Sequence, residues 1–358
     1  MRTVWHNPNS MNRRTFIAAL AAVPAAGAAV STRQAKRAER PAQVLAPRLA
    51  PGDTVGIVAP ASATFQTVDV AIARESLEAL GLTVKIGSHV LARHGYLAGG
   101  DKERANDINE FFGDRSVKAV LPIRGGWGSS RVLPHLDYAA IRRNPKVVVG
   151  YSDITALHMA IQARTGLVTF HGPNGMGRWD AWSLEYFKRV LFAGEAVTME
   201  NPATLSERNA LTQTENRVQT IRTGVARGRL LGGNLTVLTA ILGSPYVPSF
   251  DGAILFVEDV GEDLYRIDRM FTQLKLAGIL DRLGGFVFGT CSECGPGEGF
   301  GSLTLEEIFA DHIKPLNVPA WFGAMIGHQT PQWTLPVGLE VEIDASKGTI
   351  RMLAPAVR

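Results

Sequence analysis

The sequence predicts an α/β protein: an N-terminal, mostly parallel βαβ domain of flavodoxin- or Rossmann-like type, followed by a mixed α/β domain ending in a β-hairpin. Three observations carry this. Short β-branched runs alternate with helix-length amphipathic stretches, the pattern of βαβ units. Of 358 residues, 46% are apolar and 20% charged, enough to build a core. The 37 glycines and 19 prolines punctuate these runs without any period or low-complexity tract.

The elements follow in order. Residues 54–59 read as a buried strand, 68–80 as an amphipathic helix stopped by Gly81, and 82–86 as a second strand. Residues 101–112 form a helix capped by Asp101 or a neighbour. Strands are expected at 117–123 and 146–149, a helix at 154–163 ending at Gly166, and a strand at 167–170. Residues 174–227 break the rhythm with one helix (183–192) and a polar connector (201–217). Near Gly228 a second module begins with a Gly-rich turn into a helix at 234–242. A strand (253–257), a helix (264–277), a strand (285–289) and a terminal hairpin (340–344 with 349–353) follow. The expected division is a tail at 1–45, an N-terminal domain at 46–173, a linker at 174–227 and a C-terminal domain at 228–358.

The tail reads as an address. Asn12-Arg13-Arg14-Thr15-Phe16-Ile17 precedes a soft apolar stretch over 18–30 that contains Ala26-Gly27-Ala28. That is the order of an export signal with a small-residue cleavage site. The paired arginines give it a twin-arginine character, which implies export of a folded, periplasmic protein. Met11 is an alternative start, and Pro24 and Gly27 disfavour the competing reading as a plain Ala-rich helix. No Cys follows the apolar stretch, so no lipid anchor is expected. Arg2, Arg13 and Arg14 account for most of the net charge of +4. The rest is balanced, without the basic, aromatic-laced runs of a nucleic-acid surface. Outside the tail no apolar run approaches the roughly 18 residues of a membrane span.

Two Gly-bearing turns carry the chemistry. In Val147-Val148-Val149-Gly150-Tyr151-Ser152-Asp153-Ile154 a strand runs through a glycine and a serine directly into a helix. This is the geometry of a nucleophile elbow, although Ile154 stands where its second glycine would be. Helix-terminal amides there can serve an oxyanion; the plainer alternative is that Ser152 or Asp153 only caps the helix. Arg124-Gly125-Gly126-Trp127-Gly128-Ser129-Ser130 follows a strand and lets backbone amides approach a ligand. Arg124 there suits a substrate carboxylate or an internal ion pair. Neither dinucleotide nor phosphate-loop spacing occurs, so no nucleotide cofactor is expected.

A serine nucleophile needs a base and an orienting acid. His158 lies in a helix, whereas His171 and His328 stand in better positions at strand ends and loops. Glu258 and Asp259 end a strand and face opposite sides; spacing leaves open which one serves a site and which one pairs with Arg266 or Arg269. Cys291 and Cys294 make a single C-x-x-C, a disulfide or two thiols, too few for a zinc site.

Taken together, these segments resemble the LD-carboxypeptidase family. The matching pieces are Gly52-Asp53 with Ile57-Val58-Ala59-Pro60-Ala61-Ser62, Arg124-Gly125-Gly126-Trp127-Gly128, Gly150-Tyr151-Ser152-Asp153-Ile154-Thr155 and His171-Gly172-Pro173. Leu231-Gly232-Gly233-Asn234-Leu235, Glu258-Asp259 with Tyr265-Arg266, and Gly327-His328 complete the series in family order. The resemblance implies a Ser152–Glu258–His328 triad at a domain interface. It implies an oxyanion hole from the amide of Asp153 with Gly125 or Gly126, and leaves Arg124 and Trp127 as candidate substrate contacts. The implied reaction removes the terminal D-alanine of murein tetrapeptide at an L,D amide bond, without metal or organic cofactor, in a homodimer. The export signal directs that activity to tetrapeptides of the wall or periplasm. A second type within the family, microcin C immunity, cleaves an amide in a peptidyl or aminoacyl nucleotide and needs an aromatic platform, for which Trp127, Trp179, Trp182 and Trp333 are available. A non-catalytic wall-peptide binder is the alternative outside enzymes, and it has no use for the triad.

Overall fold

In the computed structural model the described residues are 41–177, 179–202, 212–213, 215–299 and 301–358. The export segment and most of the polar connector lie outside them. The chain joins the fold one residue before the expected end of the tail at 45: Val44 bridges Leu167 and Ala46 bridges Val357.

The first sheet grows from alternating elements. β1 (Thr54–Val58) is buried along nearly its whole length, and α1 (Thr67–Glu78) covers it with Val70, Ala73 and Leu77, spaced three and four residues apart so that they share one face. β2 (Thr83–Ile86) and α2 (Asp101–Gly113) follow. The cap of α2 is Gly100, whose amide donates to Glu103 Oε2 at 2.7 Å. Next come β3 (Val117–Pro122), the short helices α3 (Ser129–Val132) and α4 (Tyr138–Arg143), β4 (Val147–Gly150), α5 (Thr155–Thr165) and β5 (Thr169–His171). Strands β2-β1-β3-β4-β5 run parallel in that spatial order. The order reverses between β1 and β3, and the crevice beyond the strand ends at such a reversal is where open α/β sheets bind ligands.

The stretch expected as a linker also holds structured elements. After α6 (Ala181–Lys188) come β6 (Thr198–Met199), β7 (Gln219–Arg222) and the ten-residue β8 (Val225–Asn234). β6 and β7 form the two edges of the second sheet. They are short and largely exposed, so they lack the apolar alternation that would mark them. The Gly-rich "turn" before Asn234 is in fact the end of β8. It forms a strand because it is buried against β9 (Ile254–Val260), with Leu230 to Asn234 pairing with Ile254 to Glu258 in parallel.

Between β8 and β9 lies α7 (Leu235–Ala240), and after β9 come α8 (Leu264–Leu276), β10 (Gly285–Ser292), α9 (Leu305–His312) and β11 (Ala320–Phe322). β12 (Leu335–Val337) and the hairpin β13 (Glu340–Asp344) with β14 (Thr349–Met352) end the chain. The sheet order is β6-β14-β13-β8-β9-β10-β11-β7, parallel from β8 to β11. Phe271, Phe286, Phe288 and Phe309 interlock between β10, α8 and α9, each contributing about 2 kcal/mol of burial.

β12 leaves its own half of the chain and adds antiparallel to β5, at the edge of the first sheet. Pro336 fits there, because an edge strand tolerates a residue without an N–H. The halves also meet at α5, where Thr155 Oγ1 accepts the amide of Asn234 at 2.8 Å. The described residues form one compact unit.

Candidate active site

β4 ends at Gly150 and the chain turns at once into a short 3₁₀ turn, Ser152–Ile154, that leads into α5. Ser152 adopts φ 65°, a left-handed conformation for a residue with a side chain, which costs roughly 1–2 kcal/mol and persists only where the surroundings impose it. Asn174 Oδ1 accepts the Tyr151 amide at 3.2 Å. Asp153 is buried; its Oδ2 accepts the Ser129 amide at 2.7 Å, and its carbonyl accepts the Ser129 hydroxyl. Burial raises the pKa of its carboxyl against these hydrogen bonds. Asp153 thus ties the Arg124–Ser130 loop to the elbow.

That loop approaches closely. A Cβ on Gly125 would lie 2.9 Å from Ser152 Cβ, so the residue has to be glycine for the loop to reach the serine. The amides of Gly125, Gly126 and Asp153 have no hydrogen-bond acceptor among the described residues. They are free donors beside Ser152 Oγ, as an oxyanion site needs. Ser62, beyond β1, accepts the Trp127 amide at 3.0 Å and fixes the far side of the loop.

The partner of Ser152 comes from the other sheet. His328 Nε2 is 3.0 Å from Ser152 Oγ, and His328 Nδ1 is 2.7 Å from Glu258 Oε2. The His328 amide also donates to Glu258 Oε2 at 3.3 Å. Gly327 makes this possible: it has φ 87°, and a Cβ there would sit 2.1 Å from Glu258 Oε2. Glu258 is fully buried on β9. Burial disfavours the imidazolium of His328, but the hydrogen bond and charge of Glu258 outweigh it and raise the pKa above its ordinary 6.5.

The remaining candidates separate. Asp259 points away from His328, as alternation along a strand requires. It accepts Asn234 Nδ2, the Thr236 amide and hydroxyl and the Val260 amide, all at 2.9–3.0 Å. Burial and the neighbouring Glu258 push its pKa up to about 6. Arg266, one of its two expected partners, instead lies 3.6 Å from Glu262 and 3.5 Å from Asp263. Arg269 stacks over Tyr265. Arg266 is drawn to the two acids that immediately precede α8, and Arg269 to the ring of Tyr265, so neither is a partner of Asp259.

His158 Nε2 donates to the Gly150 carbonyl, 2.7 Å away, and burial lowers its pKa to about 4. His171 lies behind Glu258, with Nε2 4.0 Å from Oε1. Burial, with the nearby His158 and His328, holds it well below its ordinary value. Neither meets Ser152.

The triad opens onto a cleft of about 770 Å³, lined by residues that include Arg124, Trp127, Tyr96, Asn234, Asp259 and Glu262. Arg124 makes one long contact, 3.4 Å to the Ala63 carbonyl. Trp127 is 67% exposed and meets Tyr96 edge-on. Trp333 is fully buried, and Trp179 and Trp182 lie against the core, so of those four tryptophans only Trp127 borders the cleft. Cys291 and Cys294 form a disulfide. Among the described residues no group of three or more His, Cys, Asp or Glu is arranged to hold a metal ion. Asn174, Ser62, Asn234 and Thr236 are site residues that the sequence reading did not find. Ser62 and Asn234 stand within segments of the family resemblance but without a role there, and Asn234 also caps the helix after β8; Asn174 and Thr236 carry no such signal.

The fold and the Ser–His–Glu constellation define the class: an α/β serine hydrolase with its nucleophile on one sheet and its acid on another. A family model described as the LD-carboxypeptidase N-terminal domain matches residues 55–172, and one described as the C-terminal domain matches 227–343. The chain belongs to the LD-carboxypeptidase family. It is 40% identical over 304 residues to the probable murein peptide carboxypeptidase of Bacillus subtilis, covering 83% of this chain and 91% of that one. The solved muramoyltetrapeptide carboxypeptidase of Oxalobacter formigenes matches with TM-score 0.69 and 30% identity, over 84% of this chain and 97% of the other. The microcin C7 self-immunity protein MccF, in its apo state, matches with TM-score 0.79 and 29% identity over 88% and 100%.

Proposed function

We propose that this chain is a serine carboxypeptidase that hydrolyses the L,D amide bond to the terminal D-alanine of murein tetrapeptide. The observation that carries the reading is the unbroken relay from Ser152 through His328 to buried Glu258, at 3.0 and 2.7 Å, at the mouth of the cleft. Ser152 Oγ attacks the amide carbonyl while His328 Nε2 takes its proton. The amides of Asp153 and of Gly125 or Gly126 receive the oxyanion. His328 then protonates the leaving amine of D-alanine. A water, deprotonated by His328, releases the tripeptide from the acyl-enzyme. Glu258 holds the imidazole in the correct tautomer and stabilises its charge. Arg124 is available for the terminal carboxylate and Trp127 for the peptide body.

The carboxylates of Asp259 and Glu262 in the same cleft favour a substrate bearing amino groups over the phosphate-linked anion of a nucleotide conjugate. We infer export by the twin-arginine-type segment, and the disulfide supports an oxidising compartment. The homodimer expected from the family resemblance is tested by sedimentation velocity.

The decisive experiment incubates the mature chain with free tetrapeptide and follows tripeptide and D-alanine by mass spectrometry, with Ser152→Ala alongside. Turnover by the parent alone is the expected result. A folded parent that leaves tetrapeptide intact but cleaves an aminoacyl nucleotide reverses the choice of substrate.

A further inference from the structure

The proposed base sits on a loop without regular structure, and one strand end fastens that loop. Ser292, the last residue of β10, donates its hydroxyl to the His328 carbonyl at 2.8 Å. That uses the only proton of Ser292 Oγ, so Thr290 Oγ1, 3.3 Å away, is the donor of their mutual contact. The His328 backbone is therefore held at both ends: its amide by Glu258 and its carbonyl by Ser292.

Ser292 lies inside the four-residue turn closed by the Cys291–Cys294 disulfide. Glu293, in the same turn, has φ 57°, a left-handed conformation that L-residues leave readily when unconstrained. The turn is docked on the strand that carries the acid. Cys291 and Ser292 pair with Asp259 and Val260 of β9. The Gly261 amide donates to the Ser292 carbonyl at 2.8 Å, and the Gly295 amide to the Glu262 carbonyl at 3.2 Å. One small cross-linked turn thus touches both the β9 segment bearing Glu258 and the loop bearing His328.

We propose that the disulfide-closed turn Cys291–Cys294 is a redox-sensitive clamp in which Ser292 is a positioning residue for His328. This rests on the carboxypeptidase reading above. A dithiol such as dithiothreitol supplies two electrons and two protons to the Cys291–Cys294 bond. It leaves two protein thiols and its own cyclic disulfide. The turn is then free to abandon the left-handed Glu293, and Ser292 withdraws from His328. Loss of a hydrogen bond of about 1 kcal/mol from the geometry of the base corresponds to about a fivefold fall in kcat.

The test measures kcat and KM for D-alanine release, together with Tm, for five samples: oxidised parent, dithiothreitol-reduced parent, Cys291→Ser/Cys294→Ser, Ser292→Ala and Ser292→Thr. The expected result is a roughly fivefold lower kcat with little change in KM for the reduced parent, the double variant and Ser292→Ala. Ser292→Thr, which keeps the hydroxyl, retains the parent value. Reduction adds nothing further to Ser292→Ala, and reoxidation restores the parent.

The acid limb of the pH profile is a second readout. The charged and titratable groups around His328 are Glu258 and Asp259 from β9, Glu293 from the turn, Tyr151 from the elbow and His171 from β5. Only Glu293 is released by reduction, so the limb moves to lower pH. An active parent that is indifferent to reductant, with Ser292→Ala matching it in kcat, overturns the clamp. If the parent releases no D-alanine, the carboxypeptidase reading fails instead. The clamp is then judged by the ring resonances of His328, assigned with His328→Gln: a shift on reduction upholds it and unchanged resonances sink it.

Discussion

The nucleophile and its base are held by opposite means. Ser152 is fixed by its own neighbourhood in the chain: a strand end, a left-handed residue and a helix start within four positions, with Gly125 leaving room above it. His328 has no such local frame. Two side chains 70 and 36 residues away hold its backbone, Glu258 at the amide and Ser292 at the carbonyl. A local turn tolerates change in the rest of the molecule, whereas a base hung between distant strands registers every shift between them. Preorganisation on this side depends on tertiary structure.

The largest test of this contrast is removal of the reacting groups. Ser152→Ala and His328→Ala should each lower kcat/KM on the order of a millionfold, and the double variant should be no worse, because the groups act as a unit. Additive losses would separate them. Glu258→Gln keeps the shape but removes the charge, and a loss of about ten-thousandfold in kcat is expected.

The pH profile of the parent gives the sign of the same interaction. His328 works neutral, so activity falls as pH drops through its pKa. Because Glu258 raises that pKa, the acid limb lies above 6.5. Glu258→Gln moves it down, and a limb that stays in place would show that the Glu258 charge does not act on the imidazole.

A third pair compares the two supports directly. Gly327→Ala forces a methyl to within 2.1 Å of Glu258 Oε2, and Gly125→Ala forces one to within 2.9 Å of Ser152 Cβ. Each should cost on the order of a hundredfold in kcat. Only Gly327→Ala, which strains a residue at φ 87° as well, should also lower Tm. The smallest effect is Trp127→Ala, at the exposed rim: KM rises a few-fold with kcat unchanged, measured with tetrapeptide.

The same contrast explains what could be read from the sequence. The parallel first sheet was legible because β1, β3 and β4 are continuous buried runs separated by amphipathic helices. The elbow was legible because its signal is contiguous. β6, β7, β11 and β12 were not, since two to four residues carry no period and form strands only by pairing with distant partners. Spacing alone could not choose Glu258 over Asp259, because both are buried on β9 and only the incoming His328 loop distinguishes them. The resemblance to known sequences made that choice. The role of the C-x-x-C turn was invisible for the same reason: its contact to His328 spans 36 residues.

The crossing of β12 into the first sheet bears on the order in which the molecule can form. On a growing chain, β5 waits with a bare edge until residues 335–337 of 358 have been made. A late-made strand, β12, thus completes the first-made sheet, so a fragment stopped after β5 would present an unpaired edge prone to association. Catalytic competence therefore cannot develop progressively from the N-terminus. It needs His328, which is made 176 residues after Ser152 and 70 after Glu258.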